Sequence, residues 1–274
     1  MKKFAVIGNP VDHSRSPEIH ALFAAQAGVD LTYERRLAPL DGFEENVRGF
    51  VAEGGDGFNV TVPFKHNAFK LMDEVTRMAA LTRAVNTVTV LADDKLKGDN
   101  TDGAGLLRDV TANLGWTVAG QRILVLGAGG AVAGVLPALL EIKPDLVHLV
   151  NRTHQRAQVL ADEYENVKAV RGDDVESAYD LIISGTSAGL SGTVVNIPSR
   201  VVGTNTHCYD MIYGKEVTIF NQWASEAGCK QTSDGLGMLV EQAALAFDAW
   251  SGFRPDTRPV ISALRDLISR SDSL

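Results

Sequence analysis

The chain has 274 residues, 45% of them hydrophobic and 22% charged, with a net charge of −8. That length suits one large or two medium soluble domains, and the acidic balance with no basic run argues against a nucleic-acid or anionic-membrane partner. The apolar run in Met1–Pro10 is too short for a signal peptide, no segment approaches a membrane span, and Cys208 and Cys229 lack C-x-x-C spacing. A cytoplasmic protein with reduced thiols is the expectation.

In chain order, Phe4–Gly8 reads as a buried strand ending in the turn Gly8-Asn9-Pro10. A polar loop, Val11–Pro17, leads into a helix for which Ser16 is the expected cap and Pro17 the first helical residue. Leu31–Leu37 reads as a strand and Asp41–Glu53 as a helix with Phe43, Val47 and Phe50 on one face. Gly57–Val62 is the next strand, closed by Pro63, and Phe64–Met72 and Thr76–Leu81 are short helices. Val88–Leu91 and Leu96–Gly98 form a hairpin around Asp93-Asp94, and Asp102–Leu114 is helical.

The second half opens on Arg122–Thr153. A short apolar run, Ile123–Leu126, meets glycines at 127, 129 and 130; an apolar helix, Ala131–Ile142, and a second run, Leu146–Val150, follow. Strand, glycine turn, helix, strand is the setting of a dinucleotide loop, in which the backbone approaches a pyrophosphate at a helix N-terminus. Val132 occupies the place of the third glycine, and Gly134 is the expected substitute for close helix–strand packing. The second strand ends in Asn151-Arg152-Thr153, with Arg156 one turn later and no acid to take a ribose 2′-hydroxyl. Guanidinium forks match a 2′-phosphate, so NADP is favoured over NAD.

Beyond it come a helix (Gln155–Glu163), strands at Val167–Val170 and Leu181–Ser184, and a small-residue loop over Gly185–Gly192. A further strand ends in Tyr209–Tyr213, followed by a helix at Ile219–Ala227. Asp234–Gly237 opens an apolar helix, Met238–Trp250, and the last helix is Pro259–Arg270. Alternating strands and helices predict an α/β fold with mostly parallel sheets and two domains. Residues 102–237 form the expected Rossmann-type dinucleotide domain. Residues 1–101 form an α/β substrate domain on which 238–274 pack back, with a cleft between the two as the working site.

Several polar residues sit at strand ends, where open α/β sheets bind ligands: Ser14 and Ser16, then Asn59, Thr61 and Lys65, then Asn86 and Asp102. Asn59 and Thr61 alternate with Phe58, Val60 and Val62 and so share one face of their strand. Asn86, amid small apolar neighbours, needs partners from backbone or ligand. The six histidines lack metal spacing and read as surface or structural, and no nucleophile elbow, Walker lysine or metal site is present.

Seven stretches occur in order: Ser14–Pro17, Asn59-Val60-Thr61-Val62-Pro63-Phe64-Lys65, Ala84–Thr87, Gly98–Gly103, Gly127–Ala131, Asn151–Thr153 and Asp234–Leu239. Together they resemble shikimate dehydrogenase over nearly the whole chain, and the N-V-T-x-P-x-K stretch is highly specific. The resemblance implies reversible reduction of 3-dehydroshikimate to shikimate by NADPH, in the route to aromatic amino acids. It makes Lys65 and Asp102 the catalytic pair. By resemblance Ser14, Ser16, Asn59, Thr61, Asn86, Tyr213 and Gln242, with that pair, bind the substrate. The same likeness gives NADP contacts to Gly127, Ala128, Gly129, Gly130, Ala131, Asn151, Arg152, Thr153, Arg156, Thr186, Met211, Gly235 and Met238. Two local departures are Arg77, where the family often has an acid, and Ser184-Gly185, in place of a more usual Asn-Ala.

Those residue types suit a ketone reduction, which needs a hydride on carbon and a proton on the developing alkoxide. A lysine supplies the proton and stabilises the charge, while Asp102 holds the lysine and binds a hydroxyl. A quinate- or NAD-using paralogue and a non-catalytic NADP(H)-sensing protein are the alternatives. Arg152 and Arg156 argue against NAD, and the intact Lys65 and Asp102 argue against a sensor. Monomer and homodimer both remain open.

Overall fold

The computed structural model describes residues 1–175, 177–186 and 197–270, which fall into two compact units: Met1–Gly105 with Val240–Leu264, and Leu106–Leu239 with the chain from Arg265. Most of the loop expected at Gly185–Gly192 lies outside the described residues.

The first unit is built on six strands: β1 (Lys2–Gly8), β2 (Leu31–Leu37), β3 (Gly57–Val60), β4 (Glu74–Val75), β5 (Thr87–Val90) and β6 (Leu96–Asp99). Their order is β2-β1-β3-β5-β6-β4. β1 pairs in parallel with β2 and β3, whereas β5 runs antiparallel to both β3 and β6. This sheet is therefore mixed, since the hairpin read at Val88–Gly98 inserts an antiparallel pair. Helices α1 (Ser16–Ala27), α2 (Phe43–Ala52), α3 (Lys65–Leu71) and α4 (Arg77–Thr82) connect the strands.

Phe58 and Val60 of β3 join Phe43, Val47 and Phe50 of α2 in one core cluster. Full burial of one such side chain stabilises the fold by about 1.5–3 kcal/mol. Asn59, between them, points to the opposite face. There Phe4 stacks on Trp250 with ring centroids 4.5 Å apart, and the indole donates to Val88 O at 3.0 Å.

The second unit holds β7 (Arg122–Leu126), β8 (Leu146–Val150), β9 (Val167–Ala169), β10 (Tyr179–Ser184), β11 (Val202–Asp210) and β12 (Gln231–Ser233). The order is β12-β11-β10-β7-β8-β9 and every pairing is parallel. This is the doubly wound order whose reversal point, here between β7 and β10, carries ligands beyond the strand ends. Near-continuous apolar strands suit a parallel sheet covered on both faces: Ile123–Leu126 are all buried. The remaining helices are α5 (Asp102–Arg108), α6 (Gly130–Glu141), α7 (His154–Ala161), α8 (Ile219–Glu226), α9 (Leu236–Ser251) and α10 (Arg258–Arg270).

Several boundaries differ from expectation. Ser16 lies within α1, and the N-cap position falls to Arg15, whose side chain makes no cap bond; Ser14 Oγ instead accepts from Ser16 N–H at 3.3 Å. The strand read as Gly57–Val62 ends at Val60. The helix expected from Asp102 to Leu114 keeps α geometry only to Arg108 and widens to a π turn over Asp109–Asn113. β4 and β12 had no sequence signal, because two or three residues carry no periodicity.

Candidate active site

Lys65 opens α3 after the turn over residues 61–64 that follows β3, and its backbone carbonyl is held by Val85 N–H at 2.9 Å. Asp102 opens α5, its N–H donating to Asn100 Oδ1 at 3.1 Å. The Lys65 ammonium meets Asp102 Oδ2 at 2.5 Å, with 28% of the lysine side chain exposed and 11% of the aspartate's. The ammonium is thus held by an almost buried carboxylate, on a lysine side chain that is itself partly exposed.

Asn86 is 2% exposed and fully partnered, as its setting demanded. Its Nδ2 donates to Asp102 Oδ1 at 2.7 Å, Thr101 Oγ1 at 3.0 Å and Gln242 Oε1 at 3.3 Å. Its Oδ1 accepts from Thr101 N–H and from Thr87 Oγ1–H, each at 2.9 Å. Asn59, 6% exposed, donates to Asn86 O and Thr87 Oγ1 and accepts from Tyr33 O–H at 2.7 Å. Burial pushes the Tyr33 phenol above its ordinary value and keeps it a donor. Ser14 and Ser16 share a hydroxyl contact of 3.1 Å at the start of α1, and Thr61 follows β3, half-buried.

The first unit therefore carries Ser14, Ser16, Asn59, Thr61, Lys65, Asn86, Asp102 and Gln242, with Asn59, Lys65, Asn86, Asp102 and Gln242 tied into one network. Tyr213 and the residues matched to NADP lie in the second unit. Thr87, Thr101 and Tyr33 were not singled out by sequence. The first two stood inside quoted motifs, and their signal was the need of buried Asn86 for partners.

In the second unit, Gly127 N–H donates to Val150 O at 2.8 Å and its φ of 114° lies where a side chain is strained. Gly129 caps α6 without a side-chain bond, and Gly129, Gly130 and Ala131 are exposed. No side chain caps the first N–H groups of α6, and an uncapped helix N-terminus is a setting in which phosphates bind. Val132 fills the space of the missing glycine. A Cβ on Gly185 would lie 2.5 Å from Val132 Cγ2, so Gly185 supplies the room for it.

Past β8, Asn151 Nδ2 bonds Thr153 O at 2.9 Å, and Arg152 and Arg156 are exposed with no ion pair among the described residues. Thr186 and Met211 follow the ends of β10 and β11. The start of α9 is packed too closely for side chains: a Cβ on Gly235 would meet Met211 O at 2.3 Å, and one on Gly237 would overlap the Asp109 carboxylate. Buried Asp109 also accepts from Tyr209 O–H at 2.7 Å. Asp234 caps this helix through Leu236 N–H and is gripped by both Arg265 Nη atoms at 2.5 and 2.7 Å.

A doubly wound parallel sheet with an open glycine turn, in a chain that also presents an ammonium on a carboxylate, defines a class: the dinucleotide-dependent oxidoreductases. Family models match residues 6–88 as a shikimate dehydrogenase substrate binding domain, 110–195 as shikimate / quinate 5-dehydrogenase, and 235–265 as a shikimate 5'-dehydrogenase C-terminal domain. The chain is 52% identical to the shikimate dehydrogenase (NADP(+)) of Thioalkalivibrio sulfidiphilus over 97% of its own length and 98% of that protein's. Among solved structures it is similar to the Ael1 enzyme of Pseudomonas putida, with a TM-score of 0.91, 40% identity and 96% and 98% of the two chains covered. It is also similar to the Thermus thermophilus shikimate 5-dehydrogenase in complex with NADP(H) and shikimate: TM-score 0.87, 34% identity, coverage 97% and 99%. The chain belongs to the shikimate dehydrogenase family.

Proposed function

We propose that this protein catalyses the reversible, NADP-dependent interconversion of 3-dehydroshikimate and shikimate. The observation that carries the reading is the Lys65–Asp102 pair at 2.5 Å, with the lysine side chain partly exposed, in a chain similar to an NADP-dependent shikimate dehydrogenase over 97% of its length.

The residues present fit NADP: an open α6 N-terminus at Gly129–Ala131 for the pyrophosphate, and two uncommitted arginines, Arg152 and Arg156, for the 2′-phosphate. Bound NADPH supplies the hydride. Lys65 Nζ gives a proton to the oxygen that becomes the new hydroxyl, and its charge stabilises that oxygen as it turns anionic. In the oxidative direction the neutral amine takes the hydroxyl proton. Asp102 Oδ2 fixes the ammonium, and Asn86, which also donates to Gln242 Oε1, holds Asp102 Oδ1 from behind. Ser14, Ser16, Thr61 and Tyr213 serve as hydrogen-bond partners for the substrate's hydroxyls and carboxylate. Asn151, Thr153, Thr186, Met211, Gly235 and Met238 complete the cofactor contacts.

No described helix is long and apolar enough to cross a membrane. We place the enzyme in the cytoplasm, where its two free, buried thiols, Cys208 and Cys229, stay reduced. The test is product identification. With NADPH and 3-dehydroshikimate the protein forms shikimate, and with NADPH and 3-dehydroquinate it forms far less quinate. Equal turnover of both ketones, or none of either, overturns the reading.

A further inference from the structure

The hydrogen bonds behind Asp102 run in one direction. A backbone N–H can only donate and a carboxylate can only accept, so Thr101 N–H on Asn86 Oδ1 and Asp102 Oδ1 on Asn86 Nδ2 fix the Asn86 carboxamide in one orientation. Asn86 Oδ1 then obliges Thr87 to donate to it at 2.9 Å. Having spent its only hydrogen, Thr87 Oγ1 accepts from Asn59 Nδ2 at 3.2 Å. Asn59 Nδ2 is fixed independently, because it also donates to the carbonyl Asn86 O at 3.1 Å. Its Oδ1 is therefore turned to Tyr33, whose hydroxyl donates at 2.7 Å.

The result is an unbroken series, Tyr33 to Asn59 to Thr87 to Asn86 to Asp102, ending on the carboxylate that holds Lys65. Asn59, Thr87 and Asn86 are 6%, 1% and 2% exposed, so solvent cannot replace a missing link. Each carboxamide that accepts at its oxygen becomes a better donor at its nitrogen, and such series strengthen along their length. Both amide hydrogens of Asn59 are committed inside the protein, which assigns it to this series rather than to direct contact with a ligand.

We infer that Tyr33 and Thr87 are positioning residues of the active site, acting through Asn59 and Asn86 to fix the Asp102 carboxylate and with it the Lys65 ammonium. The inference rests on the reaction proposed above. Without the Thr87 hydroxyl, Asn59 Nδ2 and Asn86 Oδ1 each lose a partner; Asn86 keeps its orientation through Thr101 N–H, but it becomes a weaker and less closely held donor to Asp102 Oδ1. Misplacing a reacting group by about 1 Å can cost on the order of 100-fold in rate.

The experiment compares the parent protein with Thr87→Val and Tyr33→Phe, which keep branch and ring volume, and with Thr87→Ser, which keeps the hydroxyl, in steady-state kinetics with 3-dehydroshikimate and NADPH. Thermal melts and the side-chain amide 1H–15N signals of Asn59 and Asn86 are followed alongside. The expected result is a kcat loss of about tenfold or more for Thr87→Val with KM little changed, near-complete recovery in Thr87→Ser, and a smaller kcat loss for Tyr33→Phe. A Thr87→Val enzyme with parental kcat, or a loss that serine does not restore, overturns the inference. Should Thr87→Val fail to fold, Tyr33→Phe decides by the same criterion, parental kcat counting against it. A parent without turnover strikes the proposed function instead. The amide signals then judge the series: displaced in Thr87→Val they support it, and unmoved they refute it.

Discussion

Lys65 and Asp102 touch at 2.5 Å yet differ in setting, with 28% of the lysine side chain exposed against 11% of the aspartate's. Two groups in contact and sharing a network couple, and such coupling runs about 0.5–3 kcal/mol. Asp102→Asn should therefore lower kcat, and the Lys65→Ala, Asp102→Asn double variant should lose less than the product of the single losses. Simple multiplication of the two effects would mean that the residues act separately. A second residue-scale expectation concerns His20, which is fully buried and stacked on Tyr33 at 4.4 Å. Burial depresses its pKa to about 3, with only partial offset from the Asn59 side chain. Because the folded value lies below the ordinary 6.5, the unfolded chain binds more protons between the two. Stability is complete above that window and falls as the pH drops through it, by up to about 1.4 kcal/mol per unit from this group. Chemical denaturation from pH 7 to 4 should thus show His20→Phe losing less stability than the parent, and parallel curves would contradict the assignment. Asn86 was legible in the sequence because an amide among small apolar residues must find partners. Tyr33 was not, since its neighbours Glu34, Arg35 and Arg36 give no sign that its hydroxyl is needed inside.

Among elements, the turn from β7 into α6 accounts for both local oddities of the sequence at once. Val132 in the place of the third glycine and Gly185 after β10 are one packing solution, since a Cβ at 185 would lie 2.5 Å from Val132 Cγ2. Gly134, the substitute expected from sequence, is buried in α6, but the room for Val132 comes from Gly185. Gly185→Ala should lower the melting temperature and weaken NADPH binding, with overpacking of this kind typically costing about 1–3 kcal/mol. Adding Val132→Ala should recover most of both losses, and titration of the two variants with NADPH checks it; equal weakness in both would remove the link. At the end of β8, replacing Arg152 and Arg156 with neutral residues should reduce the preference for NADP over NAD by about 100-fold or more, as charge-assisted bonds contribute about 1.5–3 kcal/mol each. Equal losses in kcat/KM for both cofactors would assign the arginines to the loop's fold instead. Long periodic elements such as α9 were readable within two residues. The short strands β4 and β12 and the π turn at Asp109–Asn113 were not, because they answer to neighbouring strands and to a buried carboxylate rather than to local pattern.

For the whole molecule, alternating apolar strands and helices foretold two α/β sheets, and the fully parallel one follows that pattern directly. The mixed order of the other depends on the hairpin β5–β6 entering beside β3, a non-local choice that periodicity does not record. A net charge of −8 gives no general attraction for an anionic cofactor or substrate, so the proposed function assigns recognition to local groups: Lys65, Arg152, Arg156 and the start of α6. The central claim is that this framework delivers one ammonium to the reacting oxygen. Single-turnover oxidation of NADPH by Lys65→Ala, with 3-dehydroshikimate and cofactor both saturating, tests it most directly. The account predicts a rate about 10²–10⁴-fold below the parent's with substrate affinity largely kept. A near-parental rate accompanied by weakened substrate binding would contradict it.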